Sequence, residues 1–147
     1  MQKLWTKNMR VLFDTNIILD FLEKRTPFNE AADRLFEACD KTIISGFIAA
    51  QSIADIFYIL RKDYGIEERK NMLLGICELM SIVGFGKEQI IAALTNEDFT
   101  DLEDCIQVEC AKAINAAYII TRNIEDFTAS LVPAILPEDF LAMQGNE

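Results

Sequence analysis

Short apolar runs alternate with longer segments of helical spacing along almost the whole chain. The β-type runs are RVLF at 10–13, TIISGF at 42–47, SIVGF at 81–85, YIIT at 118–121 and a last short run at 134–136 between two prolines. Helical patterns cover 17–23, 28–39, 52–63, 67–80, 87–95, 102–117 and 138–143. This alternation is typical of βαβ crossovers. It predicts an α/β fold with a central parallel sheet of four or five short strands and helices on both faces.

The length suits one domain. A chain of 147 residues, of which 51% are hydrophobic, can bury one core and is not composed like a disordered protein. We predict a single domain over 9–143. The polar residues 1–8 are predicted to be a leader or disordered, and 144–147 a tail.

Four acidic residues fall at strand ends or helix starts. Asp14 follows the first strand, Asp55 lies near the start of the helix after the second, and Asp126 follows the fourth. Asp104 lies near the start of the helix that leads into the fourth strand. Because sites in parallel sheets lie beyond the carboxyl ends of the strands, these four acids are predicted to meet there.

Each acid also has a purely structural interpretation. Asp14 can cap the helix after it. The pairs Ser52 with Asp55, and Asp101 with Asp104, have the spacing of capping boxes. Asp126 can be an ordinary turn residue.

The net charge and the composition exclude some kinds of functional site. The net charge is −10 and histidine is absent, so a broad basic face for nucleic acid and His-based catalysis are both excluded. The pairs Arg61-Lys62 and Arg69-Lys70 are interpreted as ordinary solvated helix surface. Crowded carboxylates repel one another unless a hard cation such as Mg²⁺ or Mn²⁺ is present. Such a cation would supply both an activated water and charge for a phosphodiester.

The cysteines and hydropathy point to a reducing cytoplasm. Four cysteines occur without a CxxC pair, so a redox motif or zinc ribbon is not predicted. Cys39 and Cys110 are predicted to lie in the core. No apolar run reaches the roughly 18 residues of a spanning helix, so no membrane association is expected.

Four motifs together resemble the PIN domain, the fold of VapC-type toxin ribonucleases. The motifs are RVLFDTNIILDFL, SIADIFYILRK, DFTDLEDCIQVECAKAINAAYIITRNIEDF and AILPEDFL. They occur in the family's order over residues 10 to about 141. No single one is decisive, but the four in order are fairly specific.

The resemblance implies roles for individual residues. Asp14, Asp104 and Asp126 match metal-binding acids, and Asp55 falls where the family usually has Glu. All four are expected to be catalytic, with Asp55 acting through water or as the proton acceptor. Supporting positions are Asn16 and Thr121, which orient the acids, Asn123, where the family often has Asp, and Asp101, a nearby alternate acid. Arg122 could bind a substrate phosphate, or it could form a salt bridge.

The implied function is a Mg²⁺- or Mn²⁺-dependent endoribonuclease, the toxin of a toxin–antitoxin pair, with RNA as substrate and an antitoxin as protein partner. Two alternatives stay open: a catalytically degenerate PIN domain that only binds partners, and a phosphohydrolase with Asp14 as nucleophile. We also expect a homodimer, because the helical stretches 17–21 and 57–60 carry many large apolar residues.

Overall fold

The computed structural model describes residues 8–144 of the chain as an α/β domain. The strands are β1 (Met9–Phe13), β2 (Ile44–Ala49), β3 (Ser81–Val83), β4 (Tyr118–Ile120) and β5 (Ala134–Ile135). The helices are α1 (Thr15–Leu22), α2 (Asn29–Asp40), α3 (Ala50–Ile59), α4 (Ile66–Leu79), α5 (Lys87–Thr95), α6 (Leu102–Ala113) and α7 (Pro137–Ala142). Short 3-10 turns cover Leu60–Lys62 and Ile124–Phe127. The predicted leader and tail fall largely on residues 1–7 and 145–147, which lie outside the described part of the chain.

The five strands form one parallel sheet in the order β3-β2-β1-β4-β5. The predicted fold class is therefore confirmed, at the upper end of the predicted strand number. Where β1 pairs with β4, Phe13 lies beside Ile120, and the Asp14 N–H donates to the Ile120 carbonyl at 3.0 Å. This pairing brings Asp14 and Thr121, each the first residue after its strand, side by side at the carboxyl edge of the sheet.

Helices cover both faces of the sheet, and each face has its own apolar core. Phe13, Phe36 and Ile56 lie in one core, and Leu12 and Val108 lie in the other. Alternate residues of β1 thus point to opposite faces, as in any strand buried on both sides. β1 is therefore packed between two layers of apolar side chains.

Cys39 and Cys110 are buried, as predicted, one in each core. Burial raises the pKa of the Cys39 thiol to about 12 and that of Cys110 to about 11. Thiols with such high pKa values are poor nucleophiles at neutral pH, so both act as packing residues.

The second strand and the helix after it differ from the prediction in their boundaries. β2 continues to Ala49 because Phe47–Ala49 pair with β3. Helix α3 then begins at Ala50, so Ser52 lies inside it and Asp55 in its second turn. The predicted Ser52–Asp55 capping box is therefore wrong: Ser52 is fully buried, and its Oγ accepts a hydrogen bond from the Thr15 hydroxyl at 2.9 Å.

Helix α6 also ends earlier than predicted, at Ala113 instead of residue 117. The chain reverses at Asn115, whose φ is 53°. Asn adopts this left-handed conformation more readily than most residues. The reversal lets Ala117 N–H donate to the Arg10 carbonyl at 2.8 Å, which leads the chain into β4.

The apolar stretch 17–21 is not exposed, contrary to the reasoning behind the expected homodimer. Ile17, Ile18 and Leu19 are at most 4% exposed within a single chain. Only Tyr58 and Ile59 of the second stretch present large apolar surface, at 62% and 40% exposure. No helix within residues 8–144 is both long enough and apolar enough to cross a membrane.

Candidate active site

Asp14 is the residue around which the candidate site is built. It follows β1 directly and is the N-cap of α1, and its Oδ1 accepts a 2.7 Å hydrogen bond from the Thr15 N–H. The same oxygen accepts from Gln107 Nε2 at 2.7 Å. Its Oδ2 accepts from the Thr121 hydroxyl at 2.7 Å and from Asn16 Nδ2 at 3.3 Å. The helix cap and the candidate site are thus the same carboxylate, fixed by four donors.

The hydrogen bonds from Asn16 and Thr121 to Asp14 agree with the orienting role that the resemblance implies. Thr121 is fully buried and follows β4 as Asp14 follows β1. Its hydroxyl also accepts from the Asn123 N–H at 3.0 Å. Asn123 therefore contributes a backbone group to this network, while its side chain lies exposed.

Gln107 is a site residue that the sequence analysis missed. It is 4% exposed on α6, one helical turn after Asp104, among the buried residues Ile106 and Val108. A polar side chain on the buried face of a helix must find a hydrogen-bond partner, and this one finds Asp14. That signal was present in the sequence, because Gln107 is three positions after Asp104, a spacing that places both on one side of the helix.

Two buried amide oxygens of this network have no hydrogen-bond partner within residues 8–144. They are Asn16 Oδ1 and Gln107 Oε1. Both side chains turn their NH₂ groups to Asp14, which leaves the carbonyl oxygens of the amides free. A buried acceptor without a donor is costly unless water or a cation meets it.

Asp14, Asp55, Glu103 and Asp104 line one cleft of about 290 Å³, together with Gln107 and Tyr58. Three of these acids were predicted to meet, and Glu103 was not recognised. The pKa of Glu103 is raised, chiefly by the negative charge of Asp55 and next by burial. The charges of Asp101 and Asp14 add smaller contributions. Burial is the main cause that raises the pKa of Asp104 to about 7, followed by the charges of Asp101, Asp126, Asp14 and Glu103.

Asp101 and Asp126 lie on the far side of Asp104. The three line a neighbouring cleft of about 410 Å³. Asp101 is the N-cap of α6, and its Oδ1 accepts from the Asp104 N–H at 3.0 Å. Within residues 8–144, no three Asp, Glu or Cys side chains form a preassembled metal-binding cluster.

Arg122, the candidate phosphate ligand, is occupied by a salt bridge. Its Nε donates to Asp20 Oδ2 at 2.7 Å and a terminal nitrogen donates to Asp20 Oδ1 at 3.2 Å. Asp20 is 1% exposed, and the guanidinium lies 4.0 Å from the centre of the Phe28 ring. Of the two roles considered for Arg122, the salt bridge is the one that the structure contains.

Comparisons with known proteins agree with this architecture. A family model described as the PIN domain matches residues 10–125. No curated protein matches the sequence. Among solved structures, a toxin–antitoxin complex from Klebsiella pneumoniae is 21% identical, with a TM-score of 0.66 over 86% of this chain and 97% of that one.

Two further solved structures are similar to the chain. VapBC2 from Rickettsia felis, bound to a DNA fragment from its promoter, is 17% identical with a TM-score of 0.62, over 87% of this chain and 98% of that one. FitAcB from Neisseria gonorrhoeae is 19% identical with a TM-score of 0.62, over the same shares of the two chains. These likenesses are evidence of the fold, whereas the family model covers most of the sequence itself. The chain belongs to the PIN domain family.

Proposed function

We propose that the chain is a metal-dependent endoribonuclease and the toxin of a toxin–antitoxin pair. The observation that carries the proposal is Asp14, held by four donors at the edge of the sheet and facing a cleft with three further acids. Membership of a family whose members are generally nucleases supports it. The similar complexes from Klebsiella pneumoniae and Rickettsia felis support the toxin role.

The residues of the cleft suit a hard divalent cation. All the charged groups are carboxylates, which Mg²⁺ and Mn²⁺ prefer over softer ligands. The raised pKa of Asp104 and the unpartnered oxygens of Asn16 and Gln107 both indicate a site that lacks positive charge. The Asn16 contact with Asp14 is the longest of the four at 3.3 Å, so it is the one that we expect to yield to a cation.

Each acid then has a distinct role. Asp14 and Asp104 would hold the cation directly, and Asp126, across from Asp104, would hold a second ion or an ordered water. A bound cation would lower the pKa of water and neutralise charge on the phosphodiester. Asp55 would accept the proton of the attacking water, with Asn16 and Thr121 keeping the Asp14 carboxylate in place.

The other interpretations make different use of the same residues. A catalytically degenerate, partner-binding domain draws its support from Asp55 in place of Glu and Asn123 in place of Asp. A phosphohydrolase with Asp14 as nucleophile is disfavoured, because four hydrogen bonds to this carboxylate reduce its nucleophilicity.

Incubation with single-stranded RNA, with Mg²⁺, Mn²⁺ or a chelator, tests the proposal. Cleavage only with metal supports it, and no cleavage under any condition favours the partner-binding domain.

Replacing Gln107 by Met should weaken metal binding. Met has a similar volume but cannot donate to Asp14, so the carboxylate loses a 2.7 Å hydrogen bond. Loss of a residue that orients a ligand typically weakens metal affinity about 10- to 100-fold. Calorimetric titration with Mn²⁺ measures this directly, without reference to activity.

Gln89 provides the matched control for that substitution. Its side chain accepts from the Gly86 N–H at 2.8 Å at the start of α5 and does not line the acidic cleft. Replacing Gln89 by Met should lower the melting temperature and leave the Mn²⁺ affinity unchanged. Equal Mn²⁺ affinities of the wild type and Gln107→Met would mean that Gln107 is only a core residue.

A homodimer remains our expectation for the free protein in the cytoplasm. The stretches 17–21 and 57–60 no longer support it, because the first is buried and Tyr58 and Ile59 of the second line clefts of the candidate site. The support that remains is exposed apolar surface elsewhere, such as that of Leu74 and Leu94, which are 61% and 65% exposed and line neither cleft. Light scattering at tens of micromolar should give twice the chain mass of 16.7 kDa. A clean species at the monomer mass would contradict this expectation.

A further inference from the structure

We propose that the cleft at the end of α3 is a subsite for single-stranded RNA, where the strand continues after leaving the acidic cleft. The inference rests on the proposed ribonuclease function and adds to it the place where the substrate is held. This cleft of about 380 Å³ is separate from the two acidic clefts described above. It is lined by Arg25, Tyr58, Arg61 and Lys62, with Glu23 and Asp63. We call it the α3 cleft.

The α3 cleft adjoins the acidic cleft. Tyr58 and Ile59 line both, so a strand that leaves the acidic cleft on this side would meet these two residues. Tyr58 is 62% exposed, so its ring is accessible from solvent. The Arg61 guanidinium lies 3.5 Å from the centre of this ring and donates to the Tyr58 carbonyl at 2.8 Å.

This pair offers a flat surface of the kind that nucleobases use. Aromatic rings and guanidinium planes both stack with bases, and every base has a face for such stacking. Stacking of this kind does not depend on base identity. It would therefore position a strand without selecting its sequence.

The charges of the α3 cleft favour phosphate more than those of the acidic cleft do. Arg25 donates twice to the Glu23 carboxylate, so these two neutralise each other. Arg61 and Lys62 form no ion pair within residues 8–144, and both are exposed. Only Asp63 opposes them in the cleft.

Arg61 and Lys62 give this acidic chain a local positive patch. A chain with a net charge of −10 repels a phosphate polymer almost everywhere. Arg61 and Lys62 had been interpreted as ordinary surface, but they line a cleft that shares Tyr58 and Ile59 with the acidic cleft. Phosphates on one side of the scissile bond can be held there, while the acids and their cation act on the scissile phosphate.

Fluorescence anisotropy tests the subsite, with a labelled single-stranded RNA of about 12 nucleotides. The Asp14→Asn variant with Mg²⁺ serves as the background, so that the RNA is not cleaved. Adding Tyr58→Leu should weaken binding at least about fivefold, the lower end for one lost base stack. Adding Tyr58→Phe, which keeps the ring, should leave the affinity unchanged.

Removing positive charges from the α3 cleft should weaken RNA binding, whereas removing its negative charge should strengthen it. Arg61→Gln with Lys62→Gln should weaken binding and reduce the salt dependence of log Kd by about 1.4, since each lost phosphate contact on a single strand contributes about 0.7. Asp63→Asn, in the same cleft, should tighten binding. Arg34→Gln with Lys87→Gln is the charge-matched control, because both residues are exposed and neither lines the α3 cleft.

The outcomes separate this inference from the proposed function. Metal-dependent cleavage by the wild type, with RNA affinities unchanged in the Tyr58, Arg61 and Lys62 variants, overturns the subsite and leaves the ribonuclease in place. That result would also be expected if the α3 cleft docks a protein segment instead. Weakened binding in these variants without any cleavage by the wild type supports the subsite and contradicts the ribonuclease. Equal weakening by the Arg34 and Lys87 control overturns the subsite as well.

Discussion

Replacing Asp14 by Asn is expected to lower metal-dependent RNA cleavage at least about 100-fold while the protein stays folded. The loss follows from removal of one ligand charge, which is worth several kcal/mol of charge stabilisation in the reaction. The fold should persist because Asn has nearly the same volume. Its amide oxygen can still accept from the Thr15 N–H and Gln107 Nε2, and its NH₂ can donate to the Thr121 hydroxyl.

The melting temperature without metal provides the control for this variant. Since Asp14 raises the pKa values of Glu103 and Asp104, removing its charge relieves repulsion in the cleft. The variant should therefore melt at the same temperature as the wild type or above it. If Asp14→Asn cleaves RNA like the wild type, the assignment of the site is contradicted. If Asp14→Asn does not fold, the Asp104→Asn variant described next tests the same site.

Asp104→Asn should also abolish most cleavage, and it should stabilise the metal-free protein in a pH-dependent way. The pKa of Asp104 in the folded protein is about 7, against an ordinary value of 3.8. The folded state therefore binds this proton more tightly than the unfolded state does. Protonation of Asp104 therefore stabilises the folded protein. This contribution to the free energy of unfolding is complete below about pH 4 and is lost as the pH rises through about 7.

Melting curves in a chelator at about pH 4 and about pH 8 measure this effect. The Asp104→Asn variant should melt close to the wild type at the low pH and above it at the high pH. With Mn²⁺ present, the wild type should lose metal affinity as the pH falls below about 7, because the proton competes with the cation for Asp104. A stability difference that does not change with pH would show that Asp104 is not the perturbed acid.

Asp101→Asn is the neighbouring control for Asp104. Asn is as good a helix cap as Asp, so the bond from the Asp104 N–H is retained and cleavage should fall far less than in Asp104→Asn. A loss as large as that of Asp104→Asn would instead make Asp101 a metal ligand.

The parallel sheet could be predicted because strand and helix signals agree along this chain. Apolar runs that alternate with amphipathic helices leave few topologies other than a parallel sheet. The strand order was not predicted, and the pairing of β1 with β4 is what places Asp14 next to Thr121. The boundaries were less predictable. Whether β2 ends at residue 47 or 49 depends on its pairing with β3, which is a tertiary contact and leaves no local pattern.

The acids were found from the sequence, whereas the side chains that hold them were found only in part. Asn16 and Thr121 were suggested by the resemblance to the PIN domain, but Gln107, which lies 93 positions from Asp14, was not. Glu103 was missed because it precedes Asp104 in a run of acids at a helix start, where the helix dipole is a sufficient explanation. Its closeness to Asp55 follows from the packing of α3 against the start of α6, where Gln51 donates to the Glu103 carbonyl at 3.2 Å.

Calorimetric titration of Mg²⁺ and Mn²⁺ into the wild type and Asp14→Asn tests most directly whether this cleft is a metal-dependent active site. We predict specific uptake of one or two ions by the wild type at neutral pH, and loss of that uptake in the variant. Protons should be released on binding, because Asp104 is partly protonated near pH 7. No uptake by the wild type, or equal uptake by the two proteins, would contradict it and leave a PIN domain that acts by binding partners.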